Sequence, residues 1–285
     1  MRRPEVRIFL VRHGLSEANM DKTVNARKPD HAVELAGNPN SLSPIENGHA
    51  QAYLAGQELI NYIRMTGRNA QQTRRMRLLV SPYLRTRQTA AGIRRALDEA
   101  GFAYDSREAM ELREISFGLY DGLEDHQLAE IFPREHAHYQ KHVDFSGELF
   151  APMPMGESRI QVGDRVKALF GTILRDSSPR PASANGYAVQ YDPADRPILD
   201  FVLVSHGVTI RQFRHRWLHW EWERVEREPN PANCSIQLIQ GLPGEGYTDE
   251  LVFEGFRHVR GHEKQEMRED GHVIPDAPSA SLSAA

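Results

Sequence analysis

The stretch VRIFLVRHG, residues 6–14, decides the fold of this chain. Its first six residues form an apolar run rich in β-branched side chains, which is typical of a strand buried on both faces of a parallel sheet. Two similar runs follow, MRLLV at residues 76–80 and FVLV at residues 201–204. The three runs predict three strands of one mainly parallel sheet.

Segments with a helical spacing of apolar residues lie between and beside these strands. The spacing predicts helices over residues 43–65, 86–100 and about 158–174. At the first of them, Ser43 and Pro44 fit a helix cap followed by proline in the first turn. Strands that alternate with helices predict an α/β fold, here a three-layer sandwich in which helices flank a mainly parallel sheet.

Three stretches do not follow this alternation. Residues 121–155 are rich in charge, histidine and aromatic side chains and predict a helical or loop insertion above the sheet. Residues 176–198 are dominated by turn formers and predict a long surface loop. Residues 263–285 have too few large apolar residues to order themselves and predict a flexible C-terminal tail. We therefore expect one domain over residues 1–262.

Composition excludes several classes of protein. The 285 residues are 40% hydrophobic and 26% charged, with a net charge of −4, which suits a globular protein without overall attraction to nucleic acid. The single cysteine, Cys234, excludes an intrachain disulfide and argues against a cysteine-based zinc site. The apolar run at residues 8–11 is too short for a membrane span or a signal-peptide core. We expect a cytoplasmic protein with neither nucleic acid nor a membrane as partner.

Polar motifs follow all three predicted strands. Arg12-His13-Gly14 comes directly after the first, Arg85 follows the second at the start of a helix, and Ser205-His206-Gly207 follows the third. The carboxyl ends of parallel strands meet at one edge of the sheet, where α/β proteins bind ligands. Arginine offers a donor fork that matches phosphate oxygens, and free amides at a helix start favour an anion. The pattern predicts an anion site at this edge.

Together, the motifs resemble the histidine phosphatase superfamily, in the branch that includes cofactor-dependent phosphoglycerate mutases and the bisphosphatase of fructose 2,6-bisphosphate. The resemblance covers residues 6 to about 254, and residues 206–235 further resemble a phosphatase-like subgroup of fungi and plants. The segments that carry it are Arg12-His13-Gly14 with Asn19, Ser81-Pro82 through Arg85 to Gln88-Thr89-Ala90, Leu112 with Glu114 and Gly118, Gly156-Glu157-Ser158, and Ser205-His206-Gly207.

The resemblance implies a role for each of these residues. His13 would be the nucleophile that forms a phosphohistidine, and it must be neutral to attack. Glu114 would protonate the leaving oxygen and then activate water. The resemblance also implies a set of phosphate ligands, with His206 protonated beside the phosphate: Arg12, Asn19, Arg85, His206 and the backbone of Gly207 and Val208. Two arginines and a charged histidine would replace a divalent cation, so we expect neither metal nor cofactor.

The reaction depends on the insertion, which would lie over the active site. Mutases of this family grip the glycerate carboxylate with a pair of arginines, and residues 132–142 contain no such pair. We therefore predict hydrolysis of a small phosphate ester, with mutase-type phosphoryl transfer as the alternative and an inactive binding protein on the same fold as a third reading. Candidate substrate contacts are Arg113, Tyr120, Arg134, His138, Lys141 and Arg159.

Two assignments have rivals in the sequence. Glu111 competes with Glu114 for the acid role, but only Glu114 lies four residues before a glycine, as in the family. His136, His138 and His142 have a spacing that imitates metal ligands, and surface histidines explain them better. The sequence also leaves a homo-oligomer open.

Overall fold

The computed structural model describes residues 5–21, 28–66, 75–178 and 197–257. Within these ranges one sheet contains the strands β1 (Val6–Arg12), β2 (Arg75–Val80), β3 (Tyr104–Glu108), β4 (Ile198–Ser205), β5 (Ile236–Leu242) and β6 (Gly246–Phe253). The helices are α1 (Glu17–Asp21), α2 (Gly48–Thr66), α3 (Leu84–Glu99), α4 (Asp125–Ile131), α5 (Pro133–Ser146), α6 (Arg159–Ser177), α7 (Gly207–Leu218) and α8 (Trp222–Arg227). None of the helices described here is long and apolar enough to cross a bilayer.

The sheet is mixed, with the strand order β3-β2-β4-β1-β5-β6. The first four strands in this order run parallel, and β5 and β6 add an antiparallel edge beside β1. The predicted α/β fold with a mainly parallel sheet is confirmed. The runs predicted at residues 6–11, 76–80 and 201–204 are the strands β1, β2 and β4, which lie next to one another.

Two apolar layers cover the two faces of the sheet. Along β1, Phe9 and Val11 pack with α2 and α3, whereas Ile8 and Leu10 pack with α6 and α7 on the other face. All four side chains are essentially inaccessible to solvent. A strand between two helical layers has no polar face, which explains why its sequence is a continuous apolar run.

A buried ion pair fixes the pairing of β1 with β4. Arg7 lies opposite Asp200 in the parallel register, and its Nε and Nη2 atoms each donate to one carboxylate oxygen at 2.8 Å. At the other end of the same ladder Arg12 lies opposite Ser205. The ion pair therefore anchors one end of the ladder and the polar motifs occupy the other.

The predicted helix starts are only partly correct. α2 begins at Gly48, and the Asn47 side chain caps it by accepting from the amides of His49 and Ala50 at 3.1 and 3.3 Å. The cap predicted at Ser43 is therefore wrong, because Asn47 supplies the acceptor four residues later. Ser158 does cap α6, where its hydroxyl accepts from the Gln161 amide.

The insertion at residues 121–155 is largely helical and contains α4 and α5. The Tyr139 ring of α5 packs at right angles to the Tyr120 ring in a small apolar cluster with Ala151. Residues 179–196, most of the predicted 176–198 loop, lie outside the described residues, as does the predicted tail at 263–285. The predicted single domain over 1–262 stays a prediction.

α2 and α3 approach each other closely at two glycines. A Cβ atom on Gly56 would lie 2.8 Å from the Ala96 Cβ, and one on Gly92 would lie 2.8 Å from the Ala52 Cβ and 3.0 Å from its backbone carbon. Such distances are shorter than a van der Waals contact. The helix pair is therefore packed without room for even one methyl group at these positions.

We expect Gly92→Ala to destabilise the protein by about 1–3 kcal/mol through overpacking, although alanine favours helix. The matched control is Gly171→Ala in α6, where a Cβ would meet nothing within 4 Å and the helix should gain up to about 1 kcal/mol. Urea unfolding of both variants measures the difference. Equal stability changes in the two variants would contradict this account of the α2–α3 contact.

Candidate active site

His13 follows β1 directly and is buried, with hydrogen bonds to both its side chain and its backbone. Its side chain is in contact with the backbone of the next residue, with Nδ1 2.7 Å from the Gly14 carbonyl oxygen. A carbonyl can only accept, so Nδ1 carries the proton and Nε2 keeps its lone pair. The His13 carbonyl accepts from the Asn233 side chain at 3.1 Å and the Cys234 amide at 3.2 Å. The backbone is thus fixed while Nε2 is available for nucleophilic attack.

The end of β4 places His206 beside His13, with the ring centroids 5.3 Å apart. His206 Nε2 is 2.8 Å from the Ser81 hydroxyl oxygen, at the end of β2. Its Nδ1 atom is buried without a hydrogen-bond partner among the described residues. His206 also precedes α7, so the amides of Gly207 and Val208 belong to the unsatisfied first turn. The two amides can bind a phosphate oxygen, and Nδ1 can donate to one in the tautomer in which the Ser81 hydroxyl donates to Nε2.

Both predicted arginines lie at this edge, and each is held from one side. Arg12 donates from Nη1 to the Pro231 carbonyl oxygen at 2.5 Å, and its Nε is buried without a partner in the described part of the chain. Arg85 donates from Nη1 to the carbonyl oxygen of Asp30 at 2.7 Å and to its carboxylate at 2.6 Å. The remaining nitrogens of both guanidinium groups can bind an anion.

Asn19 has the orientation that a phosphate donor requires. Its Oδ1 accepts from the Ser16 amide at 3.2 Å and from the Asn233 side chain at 3.1 Å. Within the described ranges its side-chain nitrogen, Nδ2, makes no hydrogen bond. The neutral donor predicted at Asn19 is therefore free to bind an anion.

The site favours the neutral form of both histidines. Burial lowers the pKa of both His13 and His206 well below the ordinary value, and the charges of Arg85 and Arg12 lower each of them further. For His13 this agrees with the neutral nucleophile expected from the motifs. For His206, protonation beside a bound phosphate stays a prediction, because the imidazolium needs an anion to offset the nearby arginines.

Glu114 is buried next to the strand ends, with few neighbours that stabilise its ionised carboxylate. Its Oε1 accepts from the Ile115 amide at 3.0 Å and from the Thr209 hydroxyl at 3.2 Å. Burial raises its pKa, an effect opposed in part by the Ile115 amide and the Arg85 charge. A carboxyl group with a raised pKa suits a general acid. Glu111, its rival in the sequence, is only half buried.

The support for Glu114 includes residues that sequence reasoning missed. Arg165 of α6 donates to the carbonyl oxygens of Glu114 at 2.9 Å and Glu111 at 2.6 Å. Glu157 accepts from Arg165 at 3.0 Å and from the Ser116 amide at 3.0 Å. Glu157 belongs to the family motif Gly156-Glu157-Ser158. That motif did not indicate that Glu157 helps to position Glu114.

Other site residues also escaped the sequence analysis. Thr209 donates to the Arg113 carbonyl oxygen at 2.7 Å as well as to Glu114. The Tyr83 ring lies edge-on to His206 at 5.2 Å between centroids. Ser81 and Tyr83 were inside a recognised motif, but nothing in the motif indicated that they contact His206.

The six candidate substrate contacts are dispersed. Arg113 pairs with Glu157 at 2.9 Å, Arg159 pairs with Glu148, and Tyr120 is buried with its hydroxyl 3.2 Å from His136 Nδ1. The other three are exposed on α5: Arg134, His138 and Lys141. None of the six makes a hydrogen bond to His13, His206 or Glu114 among the described residues.

The histidines of α5 do not assemble a metal site. The rings of His138 and His142 lie 4.6 Å apart, but His136 contacts Tyr120 instead. In the described ranges no group of three or more histidine, cysteine or acidic side chains could hold a metal ion.

The raised pKa of Glu114 has a consequence for stability. The folded state favours the protonated form of Glu114. Ionisation of Glu114 therefore opposes folding once the pH rises above the pKa that this group has in the unfolded chain, about 4.3. We expect Glu114→Gln to have a higher thermal midpoint than the wild type at pH 8. The difference should shrink to nothing as the pH falls to about 4. Thermal unfolding across this range measures it, and a difference independent of pH would contradict the assignment.

The chain belongs to the histidine phosphatase superfamily (branch 1), whose family model matches residues 8–252. This confirms the family predicted from the motifs and, with it, an enzyme of the phosphatase class. The match spans all three strand ends that meet at His13, Arg85 and His206.

The chain is also similar to individual proteins of this kind. The chain is 31% identical over 242 residues to the phosphoglycerate mutase-like protein AT74 of Arabidopsis thaliana, covering 85% of this chain and 67% of that protein. It is 25% identical to the broad-range acid phosphatase DET1 of Saccharomyces cerevisiae, over 82% of this chain and 84% of that one. The structure of mycobacterial glucosyl-3-phosphoglycerate phosphatase matches with a TM-score of 0.57 and 21% identity, covering 88% and 98% of the two chains, which shows a shared fold.

Proposed function

We propose that this protein hydrolyses small phosphate monoesters through a phosphohistidine on His13. The observation that carries the proposal is the meeting of His13, His206 and Glu114 at one edge of the sheet. The two imidazole rings lie 5.3 Å apart, and the buried Glu114 carboxyl contacts Thr209 in the first turn of α7, which directly follows His206. A neutral imidazole attacks phosphorus, and a protonated carboxyl supports the departure of the leaving oxygen. The histidine phosphatase family supports the reaction class.

In the first step, the lone pair of His13 Nε2 forms a bond to phosphorus while the bond to the ester oxygen breaks. The proton of Glu114 passes to that oxygen, so the alcohol leaves neutral. In the second step, the Glu114 carboxylate takes a proton from water as the hydroxide attacks the phosphohistidine. Inorganic phosphate leaves, and His13 and Glu114 return to their starting states.

The negative charge of the transferring group is balanced by fixed donors. Arg12 and Arg85 supply two permanent charges, and the amides of Gly207 and Val208 supply the positive end of α7. A bound phosphate dianion stabilises the imidazolium form of His206, so the pKa of His206 rises on binding and a proton can be retained there. These groups do the work of a divalent cation, and the mechanism needs no metal.

Hydrolysis is preferred to mutase-type transfer because of the insertion. A mutase needs paired cations for the second anionic group of its substrate, and Arg134 and Lys141 of α5 are separate and exposed. The relative named as a broad-range acid phosphatase supports the same choice. An inactive binding protein is disfavoured, because the residues expected for catalysis lie together.

We expect His13→Ala to lower phosphatase activity by at least about 10³-fold while the protein stays folded, since the nucleophile is lost. Assays with nitrophenyl phosphate in the presence of EDTA measure this, and acid-labile phosphate should be trapped on the wild type alone. His126→Ala, which removes an exposed histidine of α4, is the control and should be fully active. A fully active His13→Ala variant would contradict the mechanism.

Glu114→Gln separates acid catalysis from packing. An alkoxide needs a proton to leave, so activity on alkyl phosphates should fall by about 10²–10⁴-fold. A nitrophenolate leaves readily, so the loss on nitrophenyl phosphate should be clearly smaller when phosphorylation of His13 limits both rates, as burst kinetics would establish. Glu111→Gln is the control and should retain activity on both substrates. An equal small loss on both substrates would instead assign Glu114 a structural role.

The same assay distinguishes the alternatives. Addition of a bisphosphoglycerate primer with a monophosphoglycerate should yield free phosphate and no isomerised product. Isomerisation that outpaces phosphate release would show a mutase.

A further inference from the structure

Asp30 introduces a second carboxylate at the phosphate site. It begins a 3-10 turn, Asp30–Ala32, in a segment to which the sequence assigned no role. The Arg85 Nη1 atom donates to its carbonyl oxygen at 2.7 Å and to its carboxylate at 2.6 Å. Only 11% of the Asp30 side chain is exposed and 5% of the Arg85 side chain. The pair is therefore a buried contact with one of the two phosphate-binding arginines.

The segment that carries Asp30 is hydrogen-bonded, a few residues further along the chain, to α3 and to the loop after β1. The Leu35 amide donates to the Gln88 side chain of α3 at 2.7 Å, and the Ala36 amide donates to the Leu15 carbonyl oxygen at 2.9 Å. A bridge also pairs Leu35 with Ser16. Because α3 carries both Gln88 and Arg85, the position of Asp30 relative to the guanidinium is fixed by the fold.

This contact orients the Arg85 guanidinium. Nη1 is occupied by two acceptors of one residue, whereas Nε and Nη2 have no hydrogen-bond partner among the described residues. A guanidinium fork held at one end keeps its other edge, Nε and Nη2, for two oxygens of a phosphate group. Asp30 therefore fixes which edge of Arg85 can meet the phosphate.

The Asp30 carboxylate also changes the electrostatics of the site. It faces Arg85, His31 and the like charge of Asp121, and its burial raises its own pKa. Its charge raises the pKa of Glu114 as well. A phosphate dianion that binds Arg85 must share that cation with a carboxylate already in contact with it. The pair therefore reduces the net attraction of the site for phosphate.

We propose that Asp30 is a positioning residue that holds Arg85 by one end and, through its negative charge, weakens the binding of substrate phosphate and inorganic phosphate alike, which limits inhibition by the product. The inference rests on the proposed function, because it assumes that Arg85 binds the transferring phosphoryl group. Without Asp30, two arginines and the start of α7 would hold inorganic phosphate more tightly, and substrate and product would gain equally.

The test compares Asp30→Asn with Asp30→Ala. Asparagine keeps the acceptor for Arg85 and removes the charge, so the Kd of inorganic phosphate, measured by calorimetry, should fall at least about tenfold. The KM should fall in parallel, with kcat within about twofold of the wild type. Alanine also removes the side-chain acceptor, so its kcat should fall by about fivefold or more, and asparagine is then the conservative rescue.

Glu34→Gln is the matched control, since Glu34 lies in the same segment with nearly half of its side chain exposed. It should leave the Kd of phosphate and kcat unchanged. An unchanged or weaker phosphate affinity in Asp30→Asn, or a wild-type kcat in Asp30→Ala, would overturn the proposal. A failure of both variants to fold would also overturn it, because the residue would then be structural.

The two proposals fail in different ways. If the wild type hydrolysed no phosphate ester, the proposed function would be wrong, yet calorimetry would still show whether Asp30 limits phosphate affinity. If hydrolysis depended on His13 but phosphate affinity did not depend on Asp30, only the present inference would be wrong.

Discussion

The parallel register of β1 against β4 is the constraint on which the rest of the structure depends. Arg7 and Asp200 face each other at one end of this ladder as a buried, doubly hydrogen-bonded pair. A slip of one residue would separate them and leave two buried charges unpaired, at a cost of several kcal/mol. It would also turn the apolar residues of β1 to the wrong faces. The same register sets His13 beside His206 at the opposite end, so the core and the candidate active site depend on one strand alignment.

The parts of the fold that are buried on both faces could be predicted from the sequence. The strands β1, β2 and β4 are continuous apolar runs because helices cover both of their faces, and three polar motifs at their ends follow from the topology. The edge strand β3, with the sequence YDSRE, could not be predicted in this way. Most of its residues are partly or fully exposed, so no apolar run or alternation marks it. The helix start at Asn47 depended on which nearby side chain reached the free amides, which spacing alone does not determine.

Part of the candidate site could likewise be predicted from the sequence, and part of it could not. His13, Arg85 and His206 could be placed together because each follows its own strand. Glu157 and Asp30 could not, since each acts on a residue more than forty positions away. Their contacts depend on how a loop returns over the sheet edge. Pattern analysis finds residues that the chemistry requires and misses those that hold them in place.

The burial of Cys234 makes the reactivity of its thiol depend on whether the surrounding loop is folded. Its amide donates to the carbonyl oxygens of Arg12 and His13, its backbone is left-handed with φ of 56°, and its side chain is fully buried. Burial raises the pKa of this thiol, the only one in the chain, and so disfavours the thiolate needed for oxidation or alkylation in the folded protein. A thiol reagent therefore reacts faster with molecules in which the loop that packs under His13 has opened. The rate at which Cys234 reacts therefore reports how often this edge of the sheet opens.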